Sequence, residues 1–144
     1  MRFAYPYTLI RDEGGYLIQF PDVPEINSWV AADVSEAERH SHIADALASG
    51  LYFYASAREP FPRPSKPKRG QKVAAPDALS CAKFALAEAM REQRVSNVAL
   101  AKRMGVDERA VRRLLDVSQR SHIGEIERAL SLLGRRLEVE AHAA

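Results

Sequence analysis

The sequence predicts an α+β protein in two parts. A small front domain has the order β-β-β-α with a further short strand, and an all-helical domain follows it. Three observations carry this prediction. Apolar residues alternate along the first 32 positions and then switch to helical spacing. Four of the eight prolines fall within residues 60–67. The charge also changes sign across that run. Residues 1–65 hold five Arg/Lys against nine Asp/Glu, a net of −4, while residues 66–144 hold sixteen against ten, a net of +6. The overall +2 therefore averages an acidic front and a basic back. Such asymmetry points to nucleic acid meeting the back half alone.

The elements follow in chain order. Phe3, Tyr5, Tyr7 and Leu9 alternate with smaller or polar neighbours, as a strand requires. Asp12-Glu13-Gly14-Gly15 supplies turn chemistry, because glycine accepts positive φ without steric cost. Tyr16, Ile18 and Phe20 alternate again and complete a hairpin. Pro21-Asp22-Val23-Pro24 ends that strand, and Ile26 to Ala32 reads as a shorter third one. Ser35 and Glu38 form a capping-box pattern at the start of a helix. Ile43, Ala44, Leu47, Leu51 and Tyr54 make its apolar face. Gly50 argues against an unbroken helix, since it costs about 1 kcal/mol relative to alanine there.

The run Glu59 to Gly70 carries Pro60, Pro62, Pro64 and Pro67. Proline lacks an N–H and restricts its neighbour, so this run reads as an extended, semi-rigid linker. A long loop inside one domain is the alternative. The expected boundaries are a front domain over 1–58, a linker over 59–75 and a back domain over 76–144. The linker would end in a short strand at Gln71 to Ala75. Helices are expected at 77–93, 96–104, 107–116 and 122–133, with Gly134 as a C-cap. Arg135 to Glu140 would form a terminal strand.

Bulk properties exclude several classes. Hydrophobic residues at 47% and charged residues at 28% can bury a core, which argues against wholesale disorder. The single cysteine, Cys81, allows no intrachain disulfide, as in a reducing compartment, and is expected to be structural. No stretch reaches the roughly 18 apolar residues that span a bilayer. The N-terminus lacks a signal-peptide core, so a cytoplasmic address is expected.

The most informative stretch runs from Asn97 to Leu115. It resembles the helix-turn-helix of phage-repressor-like DNA-binding regulators. Ala101 is the small residue expected where two helices touch, and Gly105 suits a turn that needs positive φ. Leu100, Met104, Val106, Val111 and Leu114 are expected to face a shared core, and Asp107 to cap the second helix. That helix exposes Glu108, Arg109, Arg112 and Arg113. Arginine reads guanine bidentately or clamps phosphate, and Arg109 in the first turn is the preferred base reader. Asn97 is placed to meet a phosphate. Repressors of this shape act as dimers, with recognition helices about 34 Å apart. Leu130, Leu132, Leu133, Leu137 and Val139 offer apolar area either for self-association or for closing the domain's own core.

The tyrosine-rich first strand, Asp12-Glu13-Gly14-Gly15-Tyr16, Phe20-Pro21-Asp22, the capped helix, the proline segment and the terminal DNA-binding pattern occur in one order. That order resembles the HicB antitoxins of bacterial toxin–antitoxin pairs over nearly the whole chain. The resemblance implies a front domain with a truncated, non-catalytic ribonuclease-H-like fold. It would bind and mask a small mRNA-cleaving HicA-like toxin. The back domain would repress the shared operon by binding operator DNA in the major groove as a homodimer or tetramer. One departure is Ala31-Ala32-Asp33-Val34-Ser35, where family members often carry a glycine before the helix.

The residues bear on this directly. Two-metal nuclease chemistry needs carboxylates on adjacent strands to hold ions about 4 Å apart. Asp12, Glu13 and Asp22 fall in turns instead. No enzymatic activity, cofactor or metal site is therefore expected. His40 and His42 do not share a helix face, and His122 and His142 are isolated. The acidic front suits a partner made basic by RNA binding. The competing reading is a transcription regulator whose front domain senses a small ligand.

Overall fold

The computed structural model of the chain describes residues 2–143. The chain runs β1 (Tyr5–Asp12), β2 (Gly15–Gln19), β3 (Ser28–Ala31), α1 (Glu36–Ala57), β4 (Lys72–Ala74), α2 (Ala78–Gln93), α3 (Asn97–Met104), α4 (Glu108–Leu115) and α5 (Ile123–Leu132). It is an α+β protein with one four-stranded antiparallel sheet, of order β3-β2-β1-β4. Two compact units result. One takes Met1–Tyr54 and Phe61–Asp77, and the other takes Ala55–Pro60 and Ala78–Ala144.

The first unit grows from its alternating residues. Phe3, Tyr5, Tyr7, Ile18 and Phe20 are all buried, and Tyr7 and Phe20 pack with ring centroids 5.6 Å apart. Gly14, at φ 77, turns β1 into β2, and Asp12 then faces Gly15. A side chain at Gly15 would strike the Val30 carbonyl and the Trp29 ring, so the glycine lets that indole lie over the strand. Trp29 stays partly exposed instead of entering the core.

α1 starts where the Ser35 Oγ accepts from the Glu38 N–H at 3.1 Å. Ile43, Leu47 and Leu51 are its buried stripe. The helix continues without a break through Gly50, in keeping with the apolar face that runs on to Tyr54 and despite the cost of a glycine there. The reason is packing: a Cβ there would lie 2.4 Å from Ile26 Cγ1. Arg39 stacks over the Tyr16 ring at 5.3 Å and donates to the Ala32 carbonyl. The Tyr54 hydroxyl donates to Glu25 Oε1 at 2.6 Å.

The proline run forms no helix or strand, as its chemistry requires, but it is not loose. Phe61 buries its ring edge-on against Phe3, and the Tyr5 hydroxyl donates to the Pro62 carbonyl at 2.7 Å. The N–H and hydroxyl of Ser65 both donate to Asp22 Oδ2. These bonds lead the chain back so that β4 pairs with β1, Tyr5 facing Ala74.

In the second unit, α2 packs on α4 and α5, and α3 on α4 and α5. Leu86, Met90, Leu100, Val111, Ile126 and Leu130 centre the core. Gly105 and Gly134 both adopt positive φ, and each closes its helix with paired backbone bonds of the Schellman type. Two expectations need correction. Val106 is 38% exposed, because the glycine turn swings it away from the shared core. Arg135 to Glu140 forms no strand, since among the described residues this unit offers no sheet edge to pair with. Leu130 and Leu133 are buried in the unit's own core, which leaves Leu132 and Val139 as the exposed apolar residues of that end.

Candidate nucleic-acid interface

The site is built on α3, the glycine turn and α4. Ser96 precedes α3 in an extended conformation, and its Oγ accepts from the Ala99 N–H at 3.0 Å. Asn97 is the first helical residue and is half-buried. Its Oδ1 accepts from Arg58 Nη2 at 2.9 Å, while Arg58 Nη1 donates to the Val95 carbonyl. Arg58 itself sits at φ 55, so backbone strain is accepted to place this guanidinium. Sequence reasoning missed Arg58, because it follows the end of a helix and belongs to no periodic pattern. Its position beside Asn97 arises only on folding.

Ala101 is buried, and Gly105 at φ 70 and ψ 33 ends α3 with nothing within 4 Å of a hypothetical Cβ. The demand for glycine here is conformational and not steric. Asp107 then caps α4: its Oδ1 accepts from the Ala110 N–H at 2.8 Å. Val111 and Leu114 face the core, so the opposite side of this one helix faces solvent.

Arg109, Arg112 and Arg113 all lie on that outer side and line a single open groove of about 460 Å³, together with Asp116 and Gln119. Glu108 is half-exposed, and its Oε2 lies 3.3 Å from Arg112 Nη2, one turn along. Its carboxylate therefore orients Arg112 as well as standing beside the groove. A second pocket, of about 410 Å³, has Arg113, Arg120, Arg128, His122 and Glu125 among its lining residues. Gln119 and Arg120 were not foreseen, because they lie in an irregular turn.

The first unit presents a different chemistry. An open groove of about 580 Å³ is lined mainly by Leu17, Phe20, Pro21, Pro24 and Ile26. The Asp22 carboxylate is occupied by Ser65, and the His42 ring is hydrogen-bonded to Ser28. Among the described residues, no three His, Cys, Asp or Glu side chains converge as metal ligands would. None of the described helices is long and apolar enough to cross a membrane. Cys81 is half-buried.

Comparison with known proteins adds the family. Residues 4–85 match the profile of the HicB-like antitoxin of bacterial toxin–antitoxin systems. A protein named antitoxin HicB 2 from Photorhabdus laumondii is 33% identical over 137 residues, covering 95% of each chain. Antitoxin HicB from Pseudomonas fluorescens is 32% identical over 143 residues, 99% of this chain and 96% of the relative. Antitoxin HicB from Escherichia coli K12 is 28% identical over 94% of this chain and 96% of its own. With the profile matching more than half its length, and these relatives nearly all of it, the chain belongs to the HicB-like antitoxins of bacterial toxin–antitoxin systems.

Proposed function

We propose that this chain is a non-catalytic antitoxin that also represses its own operon. Its first unit binds and masks a small HicA-like, mRNA-cleaving toxin. Its second unit acts as a helix-turn-helix that enters the major groove of operator DNA, as a homodimer or tetramer. The observation that carries the DNA reading is the shared groove of Arg109, Arg112 and Arg113 on the outer face of a capped helix. In this reading Arg109, in the first turn of α4, meets base edges, and Arg112 and Arg113 meet phosphate or guanine. Asn97, with Arg58 bonded to it, faces the sugar-phosphate backbone. Glu108 sets Arg112 and disfavours guanine beside it.

Family membership and charge support the toxin reading. The −4 of residues 1–65 complements a ribonuclease made basic by its substrate.

The test has two arms. The full chain is titrated with its own promoter duplex at several salt concentrations. The expected log K falls linearly with log salt, and Arg112→Ala reduces that slope by about one phosphate. A flat salt dependence rejects the DNA assignment. The chain is then co-expressed with the small ribonuclease encoded beside it. Failure to co-purify and inhibit rejects the antitoxin assignment.

A further inference from the structure

Lys83 lies on α2 between Leu79, Ala82 and Leu86, on the apolar side of the helix, and its side chain is 0% exposed. A buried ammonium is costly unless every proton finds an acceptor. Here four acceptors share its three protons: the carbonyls of Arg113 at 2.8 Å, Asp116 at 2.7 Å and Gln119 at 2.8 Å, and Ser121 Oγ at 2.9 Å. These acceptors form the end of α4 and the turn that follows it. The Arg113 carbonyl also accepts from the Asp116 N–H at 3.3 Å, and the Asp116 carbonyl from the Gln119 N–H at 3.1 Å, so the ammonium takes their second lone pairs. It does so at the negative end of the α4 dipole, which favours a cation.

The identity of the acceptors gives this anchor a functional meaning. Three of the five residues lining the arginine groove, Arg113, Asp116 and Gln119, are held through their main-chain oxygens by this one nitrogen. Lys83 cannot touch DNA, being enclosed, yet it sets the backbone from which three of those five side chains project.

We propose that Lys83 is a positioning residue for sequence recognition: from beneath, its buried ammonium locks the C-terminal end of α4 and the 116–121 turn into the conformation that reads DNA. The inference rests on the DNA reading above. It predicts a separation that simple structural support would not produce. Every arginine able to neutralise phosphate is retained, so the salt slope stays close to that of the wild type, while discrimination between promoter and scrambled duplex falls.

The experiment compares the wild-type full chain, Lys83→Met, Lys83→Arg and Ser121→Ala at a temperature where each is folded by circular dichroism. Binding to promoter and scrambled duplexes is read by fluorescence anisotropy. Lys83→Met is expected to lose about tenfold or more in the promoter-to-scrambled ratio, comparable to losing one base contact. Lys83→Arg, which keeps the charge, is expected to recover part of that loss, and Ser121→Ala to show a smaller loss. A folded Lys83→Met with an unchanged ratio overturns the inference and leaves the DNA reading intact. A wild-type chain without promoter preference overturns the DNA reading, and this inference with it. Should Lys83→Met not fold, Ser121→Ala decides, an unchanged ratio counting against the inference. A DNA-free check uses ¹⁵N-labelled full chain: the Lys83 ammonium protons should exchange slowly enough to be seen. Exchange as fast as that of the surface lysines removes the anchor and the proposal.

Discussion

Replacing Gly50 by alanine sets two effects of opposite sign against each other within α1. In an ordinary helix interior the change stabilises by up to about 1 kcal/mol, because glycine has more backbone entropy to lose. Here the new Cβ would lie 2.4 Å from Ile26 Cγ1 and 2.7 Å from Cδ1. Carbon atoms prefer about 3.5–4.0 Å, so Ile26, half-buried in the wall of the open groove, must move by roughly an ångström. Overpacking of this kind costs about 1–3 kcal/mol. Overpacking wins, and Gly50→Ala should destabilise by up to about 2 kcal/mol. Truncating the obstacle should reverse the sign: in an Ile26→Ala background, Gly50→Ala should stabilise by about 0.5–1 kcal/mol. The coupling energy between the two sites is then roughly 1–3 kcal/mol. Urea denaturation followed by the fluorescence of Trp29, the one tryptophan of the chain, reports the unit concerned. Equal effects of Gly50→Ala in both backgrounds, or stabilisation in the wild type, would refute the reasoning.

Further expectations follow the same physics. Gly105→Ala meets no atom within 4 Å but keeps φ 70, so it should cost about 1–2 kcal/mol from backbone strain alone; amide exchange across α3 and α4 measures it, and a neutral result contradicts the assignment. Asp107→Ala removes the cap bond to Ala110 and should lower the stability of α4 by about 1 kcal/mol, with Asp107→Ser largely restoring it in the same exchange experiment. The Tyr54 hydroxyl holds the Glu25 carboxyl below its ordinary 4.5. A depressed acid stabilises the fold above its unfolded pKa and stops doing so as pH falls through the folded one. The stability difference between wild type and Tyr54→Phe should therefore be constant from about pH 6 to 8 and shrink below about pH 4. A difference independent of pH would show that the hydroxyl acts only by packing.

Much of this molecule is legible in local patterns, because local rules decide them. Alternation placed Tyr5, Tyr7, Ile18 and Phe20 in a sheet core, and the Ser35 and Asp107 caps mark true helix starts. Gly105 and Gly134 end their helices because each is in the left-handed conformation that only glycine adopts freely. Family membership was legible too, since it rests on the order of such patterns along nearly the whole chain.

Tertiary structure alone decided the rest, for one physical reason: a residue's surroundings come from chain segments far away in sequence. Gly50 reads only as a cost to its helix until Ile26 is seen against it. The proline run reads as an extended, semi-rigid linker or a long loop, and only folding pins Phe61 to Phe3 and Ser65 to Asp22. Arg135 to Glu140 has a strand's alternation but, among the described residues of its own unit, no sheet edge to complete it. Lys83 belongs to none of the patterns read from the sequence, and only folding brings the oxygens of Arg113, Asp116 and Gln119 around its nitrogen.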